Sequence, residues 1–170
     1  PQRVGKDNMR TLIDTTVRVV IIALMAMVFC CVVWQVLSRY VVSSPSVLTE
    51  ELARFGLVWI GALGMGYVTG QKRHLAIDLL SGKLPPSARR ALLIFVELAT
   101  LVFAVLVLTY GGGLLVRKVY MSGQTSPILG LNMGLVYAAI PIAGLLVVYY
   151  GIHNLLDALS ANAGVSEPGA

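Results

Sequence analysis

Apolar and polar positions fall along this chain in long blocks rather than in short amphipathic periods. Val19 to Ser38 has no charged side chain, and neither has Phe55 to Gln71. Ala91 to Val116 is interrupted only by Glu97, and Leu131 to Leu156 contains Pro141 but no Asp, Glu, Lys or Arg. A helix rises about 1.5 Å per residue, so roughly twenty such residues cross the hydrocarbon core of a bilayer. Strands with open edges would leave backbone groups unpaired in lipid, so the four runs are expected to be helices. The pattern predicts an all-α integral membrane protein. Its single four-helix domain would cover residues 1–170, with spans at about 12–42, 49–71, 88–118 and 131–157.

Composition agrees with the pattern. The 170 residues are 57% hydrophobic and 12% charged, against roughly 25% charged in soluble domains. A formal charge of +5 would suggest a nucleic-acid partner in a soluble protein. Here the basic residues stand in short connectors, where they set membrane orientation, so no nucleic acid is expected. With the N-terminus inside, the inner side holds nine cations: Arg3, Lys6, Arg10, Arg18, Lys72, Arg73, Lys83, Arg89 and Arg90. The outer side holds four: Arg39, Arg54, Arg117 and Lys118. That excess predicts both termini inside. The first run is too long for a signal peptide and has no small-residue cleavage site directly after it, so it is expected to stay. Cys30 and Cys31 are neighbours, with no disulfide framework. The two histidines are far apart, no metal spacing occurs, and no nucleophile, base and oxyanion set is present. No cofactor, metal or enzymatic activity is expected.

Helices in lipid associate through small residues at four-residue spacing rather than through burial alone. Ala62, Gly66 and Gly70 form one such stripe, and Gly130, Gly134 and Ala138 another. Pro141 is expected to kink the fourth span, and Gly111 to Gly113 to loosen the outer end of the third. Asp14 and Arg18 are one turn apart and can pair. Between spans two and three, Leu75, Leu79 and Leu80 share a helical face, with His74 and Asp78 one turn apart on another. This reads as a short interfacial helix, its His74–Asp78 pair a hydrogen bond rather than a metal site. Ser87 is the expected N-cap of the third span.

The most polar stretch lies between the first two spans. Gln35, Arg39, Glu50, Glu51 and Arg54 fall within residues 34–55, with Trp34 and Tyr40 near the outer interface. Thr49 reads as the N-cap of span two, Glu50 pairs with Arg54, and Arg39 meets Glu50 or Glu51 across the Ser43-to-Ser46 turn. Capping two helices at the water boundary accounts for Thr49 and the carboxylates. It accounts less well for Gln35, one turn deeper, because polar groups at that depth face protein. The second reading makes Gln35, Arg39, Tyr40, Thr49, Glu50, Glu51 and Arg54 an interface for another chain.

These residues carry a resemblance. "WQVLSRYVV", "TEELARF", "GYVTGQKRHLAIDLLSGKLP" and "SPILGLNMGLVYAAIPIAG", in that order, are similar to the small membrane subunit of TRAP (tripartite ATP-independent periplasmic) transporters. The likeness runs over roughly residues 12–157. It implies four membrane helices in the inner membrane of a bacterium or archaeon and a non-catalytic role. It also implies two partners: a larger membrane subunit that carries the sodium and substrate sites, and a periplasmic binding protein that delivers a carboxylate-type solute. The small subunit would scaffold the first and help dock the second, with membrane lipid around it. Ser46-Val47-Leu48 stands where the family has an aromatic residue, and Leu131-Asn132-Met133 where it has Ile-Pro and Trp. The subfamily and the solute therefore stay open.

Two other readings compete. Glu97, ionisable within a span, suggests a self-sufficient small ion-coupled transporter. His74 and His153, near the inner ends of their spans, suggest a haem-bearing membrane anchor.

Overall fold

The protein is described by a computed structural model that covers residues 2–71 and 85–160. Helix α1 is Gln2–Tyr40 and α2 is Val47–Gly70. Helix α3, Pro86–Phe103, continues through a π-helical stretch, Ala104–Gly111, into α4, Gly112–Met121. A short α5, Met133–Tyr137, leads into α6, Ala139–Ser160. The apolar spans are Arg10–Tyr40, Val47–Gly70, Ala91–Met121 and Met133–Leu156. Each is long enough for the hydrocarbon core. The segment with His74, Asp78, Leu75, Leu79 and Leu80 lies outside the described residues.

The four spans form a layer, not a closed bundle. Helix α1 packs on α2, α2 on α6, and α6 on α3 and the π-helical stretch. Helix α6 is central, and Ala139, Ala143, Val147 and Tyr150 are buried along it at helical spacing. Close approach here depends on residues without bulk. A Cβ on Gly144 would lie 2.7 Å from Thr109 Oγ1, 2.8 Å from Leu108 Cβ and 2.9 Å from the Thr109 nitrogen. Gly66 faces Leu146 and Ala143, and Gly70 lies under the Tyr150 ring.

Two irregular turns lie beside each other in the middle of the layer. Pro141 cannot donate to the Tyr137 carbonyl, and its ring crowds that turn, so the fourth span breaks at Ala138. Opposite it, the third span widens into π turns. Gly112 is buried and packs against Ile140 and Pro141. The glycine run therefore does not loosen the third span, which stays helical to Met121. Its glycines let the two distorted backbones touch.

Several local expectations are corrected. Ser87 is not the N-cap of the third span, because Pro85 caps a helix beginning at Pro86, whose fixed φ suits a first helical turn. Thr49 is not the N-cap of α2, because the helix starts at Val47 with Ser46 as its extended N-cap. The Thr49 hydroxyl instead donates to the Ser46 carbonyl at 3.0 Å. Asp14 does not turn to the exposed Arg18. It accepts a hydrogen bond from the Tyr150 hydroxyl, which joins α1 to α6.

Candidate partner interface

The predicted cluster is at one end of the layer, where the α1–α2 turn and the loop of residues 122–132 come together. Its residues divide into two groups with different jobs. Glu50 and Glu51 are adjacent on α2 and so point about 100° apart. Glu50 is exposed and its Oε1 accepts from Arg54 at 3.0 Å. Glu51 is 7% exposed, and its Oε2 accepts from the Leu129 backbone N–H at 2.9 Å. Neither carboxylate turns to Arg39, so the expected ion pair across the turn is replaced by one within α2 and by a bond to the distant loop.

Glu51 thereby ties α2 to a loop that is already ordered from within. The Ser126 N–H donates to the Leu131 carbonyl at 2.8 Å, and the Met133 N–H to the Gln124 carbonyl at 2.9 Å. Asn132 caps α5, its Oδ1 accepting from the Gly134 N–H at 2.8 Å. Gly130 is a turn residue, with φ of +63° and no atom within 4 Å of an added Cβ, so it takes no part in helix contact. Gly134 does meet a neighbour, the backbone and Cβ of Tyr120. Ala138 lines an apolar groove of about 440 Å³ with Met27, Phe55, Trp59 and others, and Ala62 is half-buried on α2.

The other group surrounds a small cavity of about 90 Å³ lined by Gln35, Arg39, Pro45, Ser46 and Glu50. Ser38 ties the end of α1 to the turn beside it. Its hydroxyl donates to the Gln35 carbonyl at 3.0 Å and accepts from the Ser46 N–H at 3.3 Å. Ser38 is 3% exposed, and sequence reasoning passed over it because a serine at the end of a span is unremarkable. The Gln35 side-chain Nε2 is buried without a hydrogen-bond partner. Arg39 is exposed and has no acidic partner among the described residues, and Tyr40 is 77% exposed beside it.

The opposite end holds a network that the sequence did not announce. The last carbonyls of a helix lack partners within it. On α2 they are taken by side chains from both neighbours. The Arg10 guanidinium donates to the Gly70 carbonyl at 3.0 Å, and the Asn154 Nδ2 to the Thr69 carbonyl at 3.2 Å. A cation at a helix C-terminus also suits the helix dipole. Nearby, Glu97 is 6% exposed on α3, one turn before Leu101, which faces Gly151 of α6. The His153 ring lies against Tyr149, with Nδ1 2.9 Å from the Tyr149 carbonyl. Among the described residues no cluster of His, Cys, Asp and Glu could hold a metal ion.

Comparison with known proteins extends the picture. Residues 28–161 match the family described as "Tripartite ATP-independent periplasmic transporters, DctQ component". The chain belongs to this family. A relative in Vibrio cholerae, the sialic acid TRAP transporter small permease protein SiaQ, is 25% identical over 94% of this chain and 90% of its own length. A putative TRAP transporter small permease protein of Haemophilus influenzae is 28% identical, covering 86% of this chain and 89% of the relative. A third, the sialic acid TRAP transporter permease protein SiaT of Haemophilus influenzae, is 28% identical over 72% of this chain but only 19% of its own length. The DctQ-family chain is thus a small permease subunit, a multi-pass protein of the bacterial inner membrane, and not an enzyme.

Proposed function

We propose that this DctQ-family chain is the non-catalytic scaffold of a sodium-driven TRAP transporter for a carboxylate-type solute. It supports a separate large membrane subunit and presents a landing face to a periplasmic substrate-binding protein. The observation that carries this reading is the long relative SiaT, in which the match to this chain fills only 19% of a larger permease polypeptide. A unit found joined to a larger permease in one protein is suited to bind a separate one in another. The open layer of helices agrees, since α1 leans on α2 and leaves Phe29, Trp34 and Val36 outward. So does the ordered 122–132 loop, held by Glu51 and displaying Ile128 and Leu131 beside the α1–α2 turn. On this reading, sodium coupling and solute selection belong to the partners, and the carboxylate class follows the sialic acid named for the relatives.

Reconstitution tests it directly. The chain, its large subunit and its binding protein are placed in liposomes, and solute uptake is followed with and without an inward sodium gradient. Uptake is expected only when all three proteins and the gradient are present. Uptake by the chain alone, or undiminished uptake without it, would refute the scaffold role.

A further inference from the structure

The buried positions of the third span are unevenly spaced. Among residues 91–121 four are buried: Glu97, Ala104, Gly112 and Val119. Their separations are seven, eight and seven residues. An α-helix turns about 100° per residue, so a step of seven returns to the same face within about 20°. A step of eight ends about 80° away. A straight α-helix that seated Glu97 and Ala104 on α6 would therefore turn Gly112 and Val119 aside and present Gly111 and Lys118 instead. Gly111 could stand in for Gly112 beside Pro141, but Lys118 in the place of Val119 would bury a cation, which is costly.

The step of eight coincides with the π-helical stretch, Ala104–Gly111. At its start the Ala104 N–H reaches the Thr100 carbonyl, four residues back. At its end the Gly112 N–H reaches the Val107 carbonyl, five residues back. A turn closed over five residues holds one residue more than an α turn. The packing shows the same extra residue. Leu108 and Thr109 both lie against Gly144 of α6. They follow Ala104 by four and five residues, whereas an α-helix brings the third and fourth residues to that face.

We propose that the π-helical stretch is a register adapter. It absorbs one surplus residue of the third span, and so keeps a single face of that span on α6 from one side of the membrane to the other. The outer half of the span depends on it. With the surplus absorbed, Val119 is buried while Arg117 and Lys118 are exposed. The chain then leaves α4 where the 122–132 loop meets Glu51.

Single-residue deletions in the full chain test this. Leu98 and Leu106 are both exposed leucines of the third span, one before the stretch and one within it. Deleting Leu106 restores steps of seven throughout, so the stretch is expected to become α-helix with Gly112 and Val119 still on α6. Deleting Leu98 leaves no such escape. Either Glu97 leaves the face, or Val105 takes the place of the fully buried Ala104. In detergent, the chain without Leu106 is expected to melt within about 3 °C of the parent, and the chain without Leu98 at least about 6 °C lower. Deletion of Val105, also inside the stretch, should match deletion of Leu106. Cysteine labelling reads the rotation of α4 directly. With Cys30→Ala and Cys31→Ala as background, a maleimide should label Lys118→Cys and spare Val119→Cys, whether Leu106 is present or removed. Val119→Cys labelled as fast as Lys118→Cys once Leu106 is removed would overturn the proposal, because α4 would then have turned by one residue. So would a Leu98 deletion no more harmful than the two deletions within the stretch.

Discussion

At the scale of single residues, the structure separates side chains that look alike in the sequence. Glu50 and Glu51 are neighbours in a helix's first turns, yet one is in a solvent-facing pair and the other is buried on a backbone N–H. Glu50→Ala is expected to change stability by less than ~1 kcal/mol, as for exposed pairs generally. Glu51→Ala leaves the Leu129 N–H unpaired, at a cost of about 1–3 kcal/mol. Hydrogen exchange should show the 122–132 loop opening in the second variant and not in the first. The glycines divide in the same way. Gly144→Ala drives a methyl group into the backbone of Thr109 and is expected to destabilise by about 1–3 kcal/mol. Gly113→Ala meets nothing within 4 Å and should leave the melting temperature unchanged or slightly raised. Thermal melting in detergent distinguishes the two.

At the scale of elements, the interest lies in how helices end. The last turn of α2 is closed by Arg10 from α1 and Asn154 from α6. That joins three helices at the point where the chain leaves the membrane. Arg10→Ala and Asn154→Ala should each speed amide exchange in that turn and cost about 1 kcal/mol or more. The exposed Arg18→Ala should do neither. The start of α2 lies three residues before the one that Thr49 as N-cap predicts. Thr49 has the better sequence setting, with acids after it, yet the helix begins at Val47, with no side-chain cap and with the Ser46 N–H held by Ser38 across the turn. A contact between residues eight apart lies at a boundary that local preference places three residues later.

At the scale of the whole molecule, four crossings return the chain to the side on which it began. The Lys and Arg distribution of the sequence predicts that this side is the cytoplasm. A membrane-impermeant maleimide applied to the periplasmic face should label Ser44→Cys and Gln124→Cys. It should label Gln71→Cys only after the membrane is opened. The native Cys30 and Cys31, inside the first span, should stay unlabelled, and the reverse pattern would invert the topology. The layered arrangement also explains why the fourth span has the deepest burial. It is covered on two sides by α2 and α3, whereas α1 packs mainly on α2 and reaches α6 through Asp14.

The sequence by itself determined that four helices cross a membrane, because charge-free length is a direct reading of the bilayer's thickness and needs no knowledge of neighbours. It also placed the polar cluster, since charged side chains beside apolar runs stand out wherever they point. Only the tertiary structure decided what each member of that cluster does. A helix sets neighbouring side chains about 100° apart, so the partner of Glu51, 78 residues away, depends on which helix lies on that side. The same holds for Asp14, taken by Tyr150 rather than by its sequence neighbour Arg18, and for Gly144, whose lack of a side chain matters only because the π-helical stretch passes beside it. Contacts along one helix follow from spacing. Contacts between helices follow from the order in which they pack, and many sequences with the same hydropathy profile would pack in another order.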